Sequence, residues 1–135
     1  MLGRLIYVST SLCTAQEAKA LCFRAQTANA QRHITGALYH SDGIFLQYLE
    51  GDEFTLSALY HWIRRDPRHK DCRLLNAQLI AVRAFKYWSM EWLIETAATN
   101  SSIQAVMDQN RSLATLDTKT ATNLFQTLSE VTQAE

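Results

Sequence analysis

Residues 34–51, ITGALYHSDGIFLQYLEG, predict a β-hairpin and thereby decide the fold. Two largely apolar runs, Ile34–His40 and Ile44–Glu50, are separated by Ser41-Asp42-Gly43. An Asp-Gly pair between such runs is a strong signal for a turn that joins two antiparallel strands. The chain therefore has a pair of adjacent strands near its centre, and the neighbouring segments must pack around that pair.

The second strand of this hairpin carries a polar side chain, Gln47, between two large hydrophobic ones. Successive side chains of a strand point to opposite faces, so Phe45, Gln47 and Leu49 share one face. The other face carries Ile44, Leu46 and Tyr48. An amide buried without a partner would cost about 1–3 kcal/mol, so we expect a polar group to meet Gln47 there.

The segments on either side of the hairpin predict two helices and three further strands. The strands are Arg4–Ser9, Leu74–Val82 and Phe85–Trp92, and the helices run from Thr14 to about residues 27–29 and over Phe54–Arg65. Thr14 with Glu17 forms a capping box, and Pro67 follows the second helix. This order favours an α+β sandwich of ferredoxin-like type, with two helices on one face of a mixed five-stranded sheet.

The composition changes after residue 93, which suggests a domain of residues 1–93 and a helical extension of residues 94–135. Two amphipathic patterns occur in the extension. The first contains Ile103, Val106 and Met107, and the second contains Leu124, Phe125, Leu128 and Val131. We expect these helices to cover the second face of the sheet or to bind a second protein.

The overall composition disfavours several classes of protein. The 135 residues are 47% hydrophobic and carry 13 basic and 13 acidic side chains, so no basic stripe is available for nucleic acid or an anionic membrane. No signal peptide and no apolar run of membrane-spanning length are recognisable, which predicts a cytoplasmic protein. Cys13, Cys22 and Cys72 are widely spaced and are expected to be reduced thiols rather than metal ligands.

Few residues form a recognisable catalytic pattern. There is no Gly-x-Ser-x-Gly motif, no glycine-rich phosphate loop and no Cys/His cluster. Polar or aromatic residues on apolar strands remain, namely Tyr7, Gln47, Trp88 and Met90, together with Asn29 at the end of the first helix. Taken singly, these residues fit a core and a helix cap. As a group they also fit a pocket for a heterocycle with its own donors and acceptors.

Five stretches resemble, in order and spacing, the BLUF family of blue-light photoreceptors, which use FAD. They are RLIYVS, N-x-x-x-x-ITGALY, SDGIFLQYLEG, IRRDPRH and AFKYWSM, and the resemblance covers about Leu2 to Leu93. It implies the ferredoxin-like sandwich predicted above. It also implies a flavin, FAD or in its place FMN or riboflavin, whose ring stands between the two helices and against the sheet.

The resemblance implies roles for individual residues. Tyr7 matches the photoactive tyrosine, Gln47 the switching glutamine, and Asn29 a hydrogen-bond partner of the flavin ring's polar edge. The other implied cofactor-binding residues are Leu21, Phe45, Leu49, Ile63, Asp66, Arg68 and His69. Trp88 and Met90 match a mobile pair that relays the signal.

The implied photochemistry centres on Tyr7, which gives an electron and then a proton to the excited flavin. Gln47 then rotates or changes tautomer, and because an amide has a donor end and an acceptor end, its hydrogen bonds are reversed. Absorption shifts to the red, and the state relaxes in darkness. Ala28 departs from the family, in which a polar side chain often precedes the asparagine, and this implies looser flavin binding or altered tuning.

The function implied is a photoreceptor without an enzymatic effector of its own, acting on an unknown downstream protein or as a homo-oligomer. An alternative is a flavin-free interaction module that keeps the fold, which Ala28 favours. A small ferredoxin-like enzyme such as an acylphosphatase is a third reading. It is disfavoured because STSLCTAQ follows the first strand in place of a glycine-rich anion loop.

Overall fold

The computed structural model describes residues 1–41, 43–87, 89–93, 97–110 and 112–133. The strands are β1 (Leu2–Ser11), β2 (Thr35–Ser41), β3 (Ile44–Asp52), β4 (His69–Leu79) and β5 (Glu91–Trp92). The helices are α1 (Ala15–Gln31), α2 (Glu53–Ile63), α3 (Ala97–Asn110) and α4 (Thr118–Gln133), with a 3₁₀ turn at Leu113–Thr115. The five strands form one sheet in the order β4-β1-β3-β2-β5. The predicted α+β sandwich with a mixed five-stranded sheet is confirmed.

The central hairpin and its neighbour β1 set the register of the sheet. β3 pairs antiparallel with both β1 and β2, so Gln47 lies opposite Tyr7 on one side and opposite Leu38 on the other. Gly36 is required in β2, since a Cβ there would lie 2.0 Å from the carbonyl oxygen of Tyr48. The pairing of β1 with β3 therefore places two polar side chains, Tyr7 and Gln47, side by side on one face.

α1 is longer than predicted and ends at Gln31. Its N-terminus carries the predicted capping box, in which Thr14 and Glu17 exchange hydrogen bonds. At the C-terminus the carbonyl of Asn29 accepts from the backbone N–H of Ile34 at 2.9 Å. His33, at φ 56°, turns the chain into β2. Asn29 therefore lies within the last turn of the helix rather than beyond it.

The predicted strand Phe85–Trp92 is wrong for most of its length. Of the residues in this segment that the structure describes, only Glu91–Trp92 pairs in the sheet, parallel to β2. Earlier in the segment, the backbone N–H groups of Ala84 and Phe85 donate to the carboxyl group of Glu50, at 2.8 and 2.6 Å. Because a side chain takes these donors, they are not available to a strand ladder.

β4 also differs from its prediction, beginning at His69 instead of Leu74 and ending at Leu79 instead of Val82. Its pairing with β1 has irregularities, and Asp71 adopts a positive φ of 53°. Such bulges break the alternation of side chains from which strands are predicted. The polar start of β4 was therefore not recognisable as a strand.

The extension covers the second face of the sheet, as expected. The core on that side joins sheet residues to residues of the extension, namely Ile6, Val8, Leu46 and Tyr48 to Ile103, Leu113, Leu116, Leu124, Phe125 and Leu128. The ring of Tyr48 lies 5.3 Å from that of Phe125. Arg73 of β4 donates to the carbonyls of Ala114 and Leu116, at 2.6 and 2.9 Å. The region before α4 is thereby attached to the edge strand.

α1 and α2 cover the opposite face, where a second core forms. Its buried members include Leu5, Tyr7, Ala18, Cys22, Leu38, Phe45, Leu49, Leu56 and Met90. Among the helices that the structure describes, none is long and apolar enough to cross a bilayer.

Candidate functional site

A cavity of about 250 Å³ opens between α1, α2 and the sheet. It brings together Tyr7, Gln47 and every cofactor-binding residue predicted from the sequence, which are Leu21, Asn29, Phe45, Leu49, Ile63, Asp66, Arg68 and His69. Its volume is close to the lower end of the range for small-molecule pockets, roughly 300–1,000 Å³. The predicted residues therefore share one site, although they come from both helices, three strands and a loop.

Three side chains form a series of contacts that begins at Tyr7 and Gln47 in the cavity lining and ends at Met90, which is buried and is not part of that lining. The Tyr7 hydroxyl donates a short hydrogen bond to Oε1 of Gln47. Nε2 of Gln47 lies 3.5 Å from the sulfur of Met90. A thioether only accepts and the amide nitrogen only donates, so this arrangement requires Oε1 toward Tyr7 and Nε2 toward Met90. Because the Tyr7 hydroxyl can either donate or accept, it is the Met90 end that sets the orientation of the amide.

Burial keeps Tyr7 in its neutral form. Only 5% of the residue is exposed. This burial raises the pKa of the phenol well above its ordinary value, and Cys72, Tyr60 and Asp66 nearby raise it further. The hydroxyl therefore keeps its proton throughout the ordinary pH range and acts as the donor to Gln47.

Asn29 lies on the cavity side of α1 and does not cap the helix with its side chain. Its Nδ2 donates to the carbonyl of Ser89 at 3.1 Å. An amide has two N–H donors and an acceptor oxygen, so hydrogen-bonding capacity remains after this contact. Asn29 and Gln47 thus bring amides into the cavity from the helix and the sheet.

His69 connects β1 to the end of α2. Its Nδ1 lies 2.7 Å from the Ser9 hydroxyl and its Nε2 lies 2.5 Å from the Ile63 carbonyl. Because a carbonyl only accepts, Nε2 must carry the proton in that contact. The imidazole ring also meets the Tyr7 ring edge-on, with centroids 6.0 Å apart. His69 therefore supports the wall beside Tyr7.

Asp66 and Arg68 form an ion pair among the lining residues. Their closest nitrogen and oxygen atoms are 2.5 Å apart, and 45% of the Arg68 side chain is exposed. The hydrogen bond from Arg68 lowers the pKa of Asp66 below its ordinary value. At this exposure the pair contributes little to stability, but it holds the guanidinium in a defined place.

The lining fits a flat heteroaromatic group. Most of the surface is apolar. Next to the sheet and α1, its polar groups are the phenol of Tyr7 and the amides of Gln47 and Asn29, while Asp66, Arg68 and His69 lie on the side after α2. Amides match a ring edge that presents both carbonyl and N–H groups, since each amide donates and accepts. Within the described parts of the chain, no cluster of His, Cys, Asp or Glu residues is arranged to hold a metal ion.

Four further residues line the cavity and were not predicted: Ala25, Leu38, Leu59 and Trp62. Three of them follow from spacing. Ala25 is one helical turn from both Leu21 and Asn29, Leu59 is one turn from Ile63, and Leu38 pairs with Gln47. Trp62 has no comparable signal. Trp88, the other predicted relay residue, lies outside the described residues.

Comparison with known proteins agrees with this geometry. Residues 2–91 match the family described as BLUF, sensors of blue-light using FAD. The photoactivated adenylate cyclase subunit beta of Euglena gracilis is 34% identical over an alignment of 125 positions, which covers 87% of this chain. The aligned part makes up 14% of the cyclase subunit, so the chain spans about one seventh of that relative's length.

Solved structures are also similar to this chain. The ground state of BlsA is 26% identical with a TM-score of 0.80, and the match covers 100% of this chain and 90% of that one. BlrP1 of Klebsiella pneumoniae, in a manganese and cyclic diGMP complex, is 34% identical with a TM-score of 0.68 over 78% of this chain and 28% of its own. The chain belongs to the BLUF family of flavin-binding blue-light sensors.

Proposed function

We propose that this chain is a photoreceptor whose light-driven step is carried out by Tyr7 and Gln47. The observation that carries the proposal is the continuous contact from the Tyr7 hydroxyl through the Gln47 amide to the Met90 sulfur. These groups line or adjoin one cavity with the polarity of a flavin ring. This arrangement places three groups in sequence: an electron donor (Tyr7), an amide whose hydrogen bonds can be reversed (Gln47) and a side chain that can move (Met90).

We propose that FAD is the flavin held here, with FMN or riboflavin as substitutes. Asn29 and Gln47 would bind the polar edge of the ring, while Leu21, Phe45, Leu49 and Ile63 would pack against it. Asp66 and Arg68 in the loop after α2, and His69 at the start of β4, would border it, with Arg68 as the direct contact among them. A bound flavin supplies absorption of blue light and, once excited, an oxidant that takes up an electron and a proton.

Tyr7 is the source of both the electron and the proton. As a buried neutral phenol it gives up an electron first, and its proton then leaves through the hydrogen bond to Oε1 of Gln47. Without its proton, the Tyr7 oxygen no longer donates a hydrogen bond to Oε1. The amide then rotates or changes tautomer. When the electron and the proton have both returned to Tyr7, the amide presents a donor to the Tyr7 oxygen, so its donor and acceptor ends are exchanged.

Reversal of the amide changes the contact with Met90. In the orientation of the structure, an N–H points toward the sulfur. After reversal an oxygen would face the sulfur with no hydrogen between them, and Met90 would move away. Met90 directly precedes β5, so a shift of its backbone would reach the edge of the sheet. Trp88 stays a predicted second relay residue.

The output is proposed to pass from residues 1–93 to the extension of residues 94–135. Support comes from the shared core in which Tyr48, the neighbour of Gln47 on β3, contacts Phe125 of α4. We propose that this extension caps the sheet and presents the signal to a downstream protein or to a second copy, without enzymatic activity of the chain itself. Three free cysteines fit a role in the reducing cytoplasm.

Purification with added FAD tests the proposal. The protein is expected to be yellow, and its flavin absorption should move to the red under blue light and return in darkness. Denaturing the sample and separating the released cofactor would identify it as FAD or FMN. A colourless protein that does not take up FAD would instead support a flavin-free interaction module.

A further inference from the structure

Helix α1 contributes two side-chain amides that bind the backbone just before β5. Nε2 of Gln26 donates to the carbonyl of Met90 at 2.8 Å, and Nδ2 of Asn29 donates to the carbonyl of Ser89 at 3.1 Å. Gln26 is half-buried and lies almost one helical turn before Asn29, so both reach the same segment. Gln26, unlike Asn29, is not among the residues that line the cavity.

These two bonds replace a strand ladder that this segment lacks. β5 consists of Glu91 and Trp92 alone, so Ser89 and Met90 are not fixed by pairing with β2. The side chain of Met90 is nevertheless fully buried, and its sulfur lies 3.5 Å from Nε2 of Gln47. Its position therefore depends on the backbone bond from Gln26.

We propose that Gln26 is a positioning residue for the photocycle. By holding the Met90 carbonyl, it keeps the sulfur where it accepts the N–H of Gln47, and it thereby stabilises the dark orientation of that amide. The return to the dark state requires Met90 to regain this position, so Gln26 sets the rate of return. This inference rests on the function proposed above.

Three substitutions of Gln26 separate hydrogen bonding from side-chain volume. Q26L removes the donor. Q26E keeps almost the same size and shape but presents oxygen to the carbonyl, whereas Q26K restores a long side chain with an N–H donor. Q31L is the matched control, because Gln31 is an exposed glutamine at the end of the same helix.

The measurement is the rate at which the flavin absorption returns after a pulse of blue light. Loss of one hydrogen bond between neutral groups predicts a return about fivefold slower in Q26L. Q26E should be at least as slow, while Q26K and Q31L should recover at nearly the wild-type rate. If only the volume of side chain 26 mattered, Q26E would recover at close to the wild-type rate.

The inference is overturned if Q26E recovers at the wild-type rate, or if Q26K is as slow as Q26L. It is also overturned if all three variants match Q31L. A wild-type protein that binds flavin but does not shift its absorption would instead contradict the proposed function itself, so the two failures are distinguishable. Should Q26L not fold, the comparison of Q26E with Q26K still decides the matter.

Discussion

Replacing Tyr7 with phenylalanine is expected to abolish the light-induced red shift while leaving flavin binding intact. The substitution keeps the ring that lines the cavity and removes only the hydroxyl, which is the donor to Oε1 of Gln47. A benzyl side chain has no ionisable proton and cannot donate that hydrogen bond. Absorption spectra recorded before and during blue illumination should therefore coincide in Y7F.

Tyr60→Phe is the matched control for this experiment. The Tyr60 ring lies 5.7 Å from that of Tyr7, but its hydroxyl contacts the sulfur of Cys72 and not Gln47. Y60F loses a phenol from the same region of the molecule and should keep a reversible red shift. If Y7F still shifts to the red in light and returns in darkness, Tyr7 does not have the role proposed for it.

Replacing Glu50 with leucine is expected to lower the free energy of unfolding by about 3–5 kcal/mol, because two buried backbone donors would lose their acceptor. Glu50 is fully buried, and its carboxyl group accepts from the backbone N–H groups of Ala84 and Phe85 and from the hydroxyl of Thr35. Leucine has a similar volume but no acceptor. Denaturation in urea, followed by circular dichroism, measures the change.

Glu130→Leu provides the comparison for this stability measurement. Glu130 is exposed on α4 and accepts only an exposed hydrogen bond from Gln126 among the contacts described. Surface changes of this kind usually alter stability by no more than about 0.5 kcal/mol. If E50L lowers the free energy of unfolding no more than E130L does, the segment that begins at residue 83 does not depend on the Glu50 carboxyl group.

The parts of the fold that follow from local patterns could be predicted from the sequence. Alternation in residues 44–50 placed Gln47 between Phe45 and Leu49, and the structure has all three lining one cavity. The capping box fixed the start of α1. The amphipathic patterns of the extension predicted two helices with an apolar face, and of the two partners left open, the second face of the sheet and another protein, the structure shows the sheet.

Features that depend on contacts between distant segments could not be predicted. The segment from Phe85 is rich in aromatic residues, as strands are, yet Glu50 takes its backbone donors from 35 positions away in the sequence. Nothing in the spacing of Gln26 indicates its bond to Met90, which is 64 positions away. Such side-chain to backbone bonds leave no periodic signal, because each depends on how the finished fold places one residue.

A light-minus-dark infrared spectrum of the protein with isotope-labelled glutamine side chains tests directly whether the Gln47 amide reverses in light. If the Gln47 amide reverses, bands of a glutamine amide change on illumination, these changes disappear in Q47L, and they decay together with the red shift in darkness. A reversible red shift with no change in any glutamine band, or with the same bands in Q47L, would contradict the proposed reversal of the Gln47 amide.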